Sequence, residues 1–386
     1  MRYDSARLAG FSDTAVKERR APFDTPFFLL VLLLLSLGVV MVLSASFARA
    51  YYDPGNITGG NAAYYFVRQL LFALLGTGGM LLASKLPMSL YRRGAFPFLT
   101  FALLLLMLVP FIGVKVNGAR RWLGVGGLTL QPSELAKLAV ILSFSALICR
   151  MRGRMKTFRH GILPFAALLC AIVGLLVLEP HFSASVIIIA IGGVMLFLGG
   201  VRLGWFIGAA AAAGSALAVL LAFFPYASSR ITTWRDPFSS SSDEGYQIVQ
   251  SLYSIGSGGL SGLGLGGSRQ KYLYLPEEHN DFIFAVVCEE LGFIGAALIL
   301  TLFALLILRG FWIALHCRDR YDFLVCAGIS SLLALQVFLN VAVVTNLVPC
   351  TGISLPFFSY GGTALLIQLG EMGIILSASR TILIEK

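Results

Sequence analysis

Charge is what this sequence has least of. Only 12% of its 386 residues are Asp, Glu, Lys or Arg, against about 25% in a soluble domain. Hydrophobic residues make up 58%, and the mean hydropathy is +0.85. So little polar surface excludes an ordinary water-soluble enzyme. Cysteine is sparse as well. The six cysteines (Cys149, Cys170, Cys288, Cys317, Cys326 and Cys350) form no C-x-x-C pair, and there are four histidines. Neither a disulfide scaffold nor a zinc site is expected from that pattern. Acids are outnumbered, 19 against 29 bases, giving a net charge of +10. In a soluble protein that excess points to nucleic acid; in a membrane protein it first marks cytoplasmic loops.

What is present is a series of long apolar runs. A helix needs roughly 20 apolar residues to cross about 30 Å of hydrocarbon. Ten stretches qualify, near 27–48, 64–84, 96–113, 133–149, 162–178, 182–200, 204–224, 281–308, 322–349 and 357–379. The expected fold class is therefore all-α, a polytopic bundle of about ten transmembrane helices. Residues 27–380 form the transmembrane domain, between cytoplasmic tails at 1–26 and 381–386. The first run is long and lacks a convincing cleavage site, so it reads as an uncleaved span. With the N-terminus inside, 19 of the 29 bases and seven of the 19 acids fall on the inner side, leaving +12 there and −2 elsewhere. That asymmetry sets both termini in the cytoplasm and needs no nucleic-acid partner.

Two connections stand out on the outer side. Residues 114–132 mix bases, Trp122 and glycines, as an interfacial segment would. Residues 226–280, between spans seven and eight, form the only long connection, and such loops are usually functional or disordered. No internal repeat is evident.

Ionisable groups near or within spans are functional candidates by default. Glu134 and Lys137 stand at i and i+3, on one helix face, behind a Pro132-led start that Ser133 can cap. They read equally as a structural ion pair or as a cavity-lining pair in which Lys137 holds a phosphate. Asp281 stands where the long loop meets the eighth span, and reads equally as a helix cap or a general base. His279 is expected to be an interfacial hydrogen-bonding residue, and Glu277 and Glu278 a solvated acidic rim. The glycine-rich run 255–267 fits neither a P-loop nor a dinucleotide fingerprint. Glu179, Glu289, Glu290 and Glu371 are further membrane carboxylates.

Several motifs carry a resemblance. They are Asn117–Lys137, Trp234-Arg-Asp-Pro237, Gly245-Tyr246-Gln247, Gly256–Ala285, Glu289-Glu290-Leu291-Gly292 and Leu355–Gly362. In this order they resemble the SEDS family (FtsW, RodA and SpoVE), with a closer likeness to the FtsW and SpoVE branch. The resemblance implies a peptidoglycan glycosyltransferase that polymerises lipid II at the outer face of the bacterial cytoplasmic membrane, in division, elongation or sporulation. It places the family's proposed catalytic residue on Asp281 of the His-x-Asp-Phe motif. The implied reaction is attack by the GlcNAc 4-hydroxyl on the anomeric carbon of an undecaprenyl-linked glycan, with inversion and loss of undecaprenyl pyrophosphate. Lys137, Glu134, Arg120, Arg121, His279, Gln247 and Arg230 are the expected substrate-binding residues, Lys137 and Arg120 foremost; Arg235 is a further cation within reach of the motif. No dedicated metal site is expected, although Mg or Mn is a possible cofactor. A class B penicillin-binding protein is the implied partner, with other division, elongation or sporulation proteins. The chain departs from the family pattern at His181, where an Asp is usual, at Asn280, at Thr363-Ala364 and at Glu371. The alternative function is a lipid II flippase or transporter, and a third is a recruiting scaffold.

Overall fold

A computed structural model describes residues 23–52, 57–116, 119–125, 128–151, 153–211, 214, 232–239 and 243–382. The chain runs through α1 (Thr25–Tyr52), α2 (Tyr64–Ala83) and α3 (Met88–Ile112), then three short strands, β1 (Val114–Val116), β2 (Ala119–Val125) and β3 (Leu128–Leu130). There follow α4 (Pro132–Arg150), the single turn α5 (Phe158–Gly161), α6 (Leu163–Leu178) and α7 (Phe182–Leu198). Helical residues 203–211 (α8) and 232–235 (α9) come next. The described chain ends with α10 (Asp243–Gly258), α11 (Ile283–His316), α12 (Arg320–Val344) and α13 (Gly362–Ser379).

Among the described residues, eight helical segments are long and apolar enough to cross a membrane, α5 and α6 counting as one, and α7 is a shorter apolar helix. They correspond to nine of the ten expected spans. The seventh begins as α8, and the rest of it lies outside the described residues. Helices apolar all round satisfy their own backbone and leave the choice of neighbours to packing. α4 and α12 form the centre, 83% and 72% buried, while α2 and α6, each 22% buried, turn most of their surface outward.

The structure corrects several expectations. Segment 114–132, expected as an interfacial loop, carries regular structure: β1, β2 and β3 form an antiparallel sheet of order β1-β2-β3. Arg92 and Arg93 are not loop residues but lie on the first turns of α3, where their stems can follow the helix to its polar end. Ser133 does not cap α4. Gln131 holds the cap position without a side-chain bond, and Pro132 leads the helix. The ninth and tenth spans are shorter than their apolar runs, because residues 345–361 fold as a buried loop. Ile353, Leu355, Phe357 and Phe358 of this loop are each under 5% exposed. A Cβ on Gly38, midway along α1, would collide with the Phe357 carbonyl, which shows how deep the loop dips. Non-helical backbone at that depth is tolerated because protein, not lipid, surrounds it.

The long connection is also built. α10 packs on α11, and α11 breaks at Gly292 (φ 66°, ψ −170°). Residues 283–290 before the break are at most 8% exposed, whereas Phe293 and Ile294 just after it are 67% and 66% exposed. The eighth span is therefore a buried half-helix followed by a lipid-facing helix. Gly262 (φ 78°) and Gly292 make the crossing: a Cβ on either would collide with the backbone of the other's segment. The glycine run thus serves backbone-to-backbone contact within the protein.

The ends of the bundle differ in charge. At one, Arg309 clamps Asp24 (2.7 Å) and Arg92 meets Asp319 (3.3 Å). At the other, the loops converge on a polar cavity.

Candidate active site

The cavity has a volume of about 590 Å3. Its walls come from the α1–α2 connection, the sheet, the start of α4, the α6–α7 turn, the approach to α11 and the loop before α13. The expected outer loops therefore meet around one space.

Asp281 lies in this wall, half-buried. It does not cap α11: Phe282 holds the cap position and no side chain bonds there. That removes the reading of Asp281 as a helix cap. Its backbone is fixed instead. The buried Asn340 of α12 donates from Nδ2 to the carbonyls of Asp281 (2.8 Å) and Ile353 (2.6 Å). Ser359 donates from Oγ to the Asn280 carbonyl (2.8 Å) and accepts from the Leu355 amide (2.7 Å). Gln69 of α2 bonds Ser359 and Gly361, pinning the loop from its other side. A Cβ on Gly352 (φ 60°) would lie 3.0 Å from Asp281 Oδ2, so a side chain there would crowd the carboxylate as well as strain the backbone. Burial, then the nearby Glu277 carboxylate, push the Asp281 pKa up to about 6, while Arg121 and His279 pull it back. A carboxyl group so tuned is a base poised near neutral pH.

The cations lie around it. Lys137 Nζ and Glu134 form a 2.6 Å pair at i and i+3, both lining the cavity although 2% and 8% exposed. Arg121 also lines it and donates from Nη2 to the Pro180 carbonyl (2.6 Å), tying the sheet to the α6–α7 turn. Arg49 and Arg68 complete the set. In that turn, burial pushes the Glu179 carboxyl up to about 8, moderated by Arg121. Burial, then the charges of Arg121 and Lys137, hold His181 down to about 3. His181 is thus a neutral imidazole, 3.3 Å from the Gln131 amide nitrogen. Tyr65 and Tyr360 pack on His279 at ring separations of 4.7 and 5.8 Å.

Of the expected site residues, Asp281, Lys137, Glu134, Arg121 and His279 come together here. Arg120 does not. It is exposed and donates to the Pro110 carbonyl (3.0 Å); the β1–β2 register shifts just after it, at Arg121, and Arg121 and Trp122 are the β2 residues that line the cavity. Gln247 lies away from the cavity and donates to the Pro276 carbonyl (3.3 Å), bracing the loop ahead of Asp281. Arg235 is exposed on α9, and Arg230 lies outside the described residues. Glu278 is no solvated rim: it is fully buried and paired with Arg49 (3.5 Å). Glu277 does line the cavity, accepting from Asn280 Nδ2 (2.5 Å). Sequence reasoning missed Asn340, Gln69, Ser359, Gly352, Arg49 and Arg68. Asn340 and Gln69 had a readable signal, as amides inside apolar helices. Among the described residues no group of three or more His, Cys, Asp or Glu is placed to hold a metal ion.

This geometry has counterparts. A family model described as cell cycle protein, covering FtsW, RodA and SpoVE, matches residues 24–382. A probable peptidoglycan glycosyltransferase FtsW of Trichlorobacter lovleyi is 40% identical over 363 residues, 94% of each chain. Stage V sporulation protein E of Bacillus subtilis is 39% identical over 359 residues, 92% of this chain and 97% of its own. Among solved structures, a chain of a peptidoglycan synthase complex that coordinates polymerization and crosslinking matches with a TM-score of 0.76 at 30% identity, covering 93% of this chain and 98% of that one. Rod shape determining protein RodA of Thermus thermophilus matches with a TM-score of 0.67 at 30% identity, covering 94% and 98%. With the family model spanning nearly the whole chain and relatives this similar along their full length, the protein belongs to the FtsW, RodA and SpoVE family of cell cycle proteins.

Proposed function

We propose that this protein is a peptidoglycan glycosyltransferase that polymerises lipid II at the outer face of the cytoplasmic membrane, with Asp281 as general base. The observation that carries the reading is a half-buried carboxyl group, its pKa raised to about 6, in the wall of a cavity that Arg121 and Lys137 also line. The names of the relatives support the reaction class. The +12 balance of the opposite end supports the orientation, with both termini in the cytoplasm.

In this mechanism the GlcNAc 4-hydroxyl of one lipid II attacks the anomeric carbon of the lipid-linked glycan. Asp281 takes the hydroxyl proton as the new C–O bond forms. The bond from the anomeric carbon to the diphosphate oxygen breaks, configuration inverts, and undecaprenyl pyrophosphate leaves. Arg121 and Lys137 meet the charge that develops on it, in a site where fixed cations act more strongly than in water. Glu134 holds the Lys137 ammonium in place. If Mg or Mn were recruited, the cavity carboxylates Glu277 and Asp281 would hold it, and it would supply charge stabilisation to the leaving diphosphate. A class B penicillin-binding protein that crosslinks the strands is the proposed partner, in line with the synthase complex this fold matches.

The test is a gel-resolved polymerisation of lipid II by the purified protein, alone and with such a partner. Wild type is expected to form glycan strands and Asp281→Ala none. Transfer of lipid II across vesicles without polymer from either protein points to the flippase instead.

A further inference from the structure

Three ionisable side chains are buried together away from the cavity. Lys271, Glu289 and Glu290 are each at most 2% exposed and none lines it. The Lys271 ammonium donates to Glu290 Oε1 (2.9 Å), Ser44 Oγ (3.2 Å) and the Gly266 carbonyl (2.8 Å), which matches all three of its protons. Glu290 also accepts from Ser44 Oγ (2.7 Å) and the Ser268 amide (3.3 Å). Glu289 accepts from Ser254 Oγ (2.9 Å), Ser268 Oγ (2.5 Å) and the Arg269 amide (2.9 Å). An apolar cluster of the same volume is often at least as stable as a buried ion pair, so stability alone gives no reason for this arrangement. Directional bonds do give one: they select a single geometry.

The cluster sits at the break in α11. It joins α1 and the loop after α10 to the C-terminal end of the half-helix 283–291. Backbone bonds reinforce it: the amides of Leu263 and Gly264 donate to the carbonyls of Glu289 and Glu290 (both 3.0 Å), and that of Phe293 to Gly259 (2.9 Å). At the other end of the half-helix, about 13 Å away by helical rise, stands Asp281. Between the ends the packing is apolar apart from one bond, from Ser254 Oγ to the Ala285 carbonyl (3.1 Å), with Ile283 to Val287 at most 3% exposed. Apolar contact is non-directional, so the axial position and rotation of the half-helix are set by the directional bonds at its two ends, those of Asn340 and Ser359 at Asn280 and Asp281 and those of the buried cluster at the break.

We propose that Lys271, Glu289 and Glu290 are positioning residues that fix the height and rotation of the half-helix 283–291, and thereby the place of the Asp281 carboxylate in the cavity. The kinetic consequence rests on the reading of Asp281 as general base; the geometric consequence does not.

The test uses the full-length protein. Lys271→Met/Glu290→Met removes both charges at similar volume and strands neither. Its kcat for lipid II is expected to fall about 30-fold or more with KM within about threefold, as for a base displaced by an ångström. A kcat within about threefold of wild type overturns the proposal. Ser268→Ala is the milder variant should the first fail to fold: a kcat loss of about threefold to tenfold at constant KM is expected, and no loss overturns it. A second readout needs no activity. In a chain whose six native cysteines are replaced, an Asp281→Cys thiol is labelled with a water-soluble maleimide. Adding the double substitution, or Ser268→Ala, is expected to change that rate about fivefold or more while leaving Thr363→Cys, elsewhere in the cavity wall, unchanged. Equal rates at position 281, or equal changes at both positions, overturn the proposal. Wild-type protein that makes no polymer refutes the glycosyltransferase reading, and the labelling still decides the positioning.

Discussion

At the scale of the residue, two neighbouring arginines show what the chain conceals. Arg120 and Arg121 are chemically alike and adjacent, and either could meet a pyrophosphate. The structure sends Arg121, and not Arg120, into the cavity: the β1–β2 register shifts at Arg121, between the paired Arg120 and Trp122, and a sequence does not show where such a shift falls. Arg121→Ala is expected to lower lipid II turnover about 100-fold, and Arg120→Ala less than about threefold, as steady-state rates with purified protein would show. Asp281 was legible, since a carboxylate at a loop–span boundary already stood out. Its tuning was not, because burial and the nearness of Glu277 are tertiary facts. They carry a pH prediction. In the proposed mechanism the working form is the carboxylate, so activity is expected to be full above a pKa of about 6 and to be lost as pH falls through it. The rate constant kcat/KM, followed from about pH 4.5 to 8, is expected to fall about tenfold per unit below 6. A limb centred near 4 instead would show that burial does not act on this group.

At the scale of the element, length was the reliable signal. Apolar runs of roughly 20 residues gave nine of the spans, with ends within about five positions except that α3 starts, and α11 ends, eight residues beyond its run, because few other structures can hide such a run. What failed was internal detail. Apolar Phe357 and Phe358 read as the start of a helix, yet Ser359 and Gln69 hold them in a loop, and no local pattern distinguishes a buried loop from a buried helix. The break at Gly292 is equally silent, since one glycine in a helical run is usually tolerated. Its backbone lies where L residues are strained, and a Cβ there would meet Gly262. Gly292→Ala is expected to cost about 2–4 kcal/mol, seen as a lower melting temperature and reduced membrane yield. Unchanged stability would mean that the break is not held by this crossing.

At the scale of the whole molecule, the sparse charge proves to be sorted. Bases gather at one end, where Arg309 holds Asp24 and Arg92 meets Asp319. The polar cavity occupies the other, where segments far apart in sequence converge. The apolar runs and the positions of the bases between them predicted the sorting. The cavity could not be read, because it depends on which helices neighbour one another, and apolar surfaces leave that choice to packing. The orientation can be checked in intact cells. Thr363→Cys in the cavity wall is expected to react with an impermeant thiol reagent, and Arg318→Cys at the basic end only after permeabilisation.

The most direct test of the account is the polymerisation of lipid II by purified Asp281→Asn, a change of nearly equal volume that removes only the base. We expect normal folding, with rates about 1,000-fold or more below wild type at saturating lipid II. Glycan strands formed at the wild-type rate would contradict the assignment of Asp281 and, with it, the proposed mechanism.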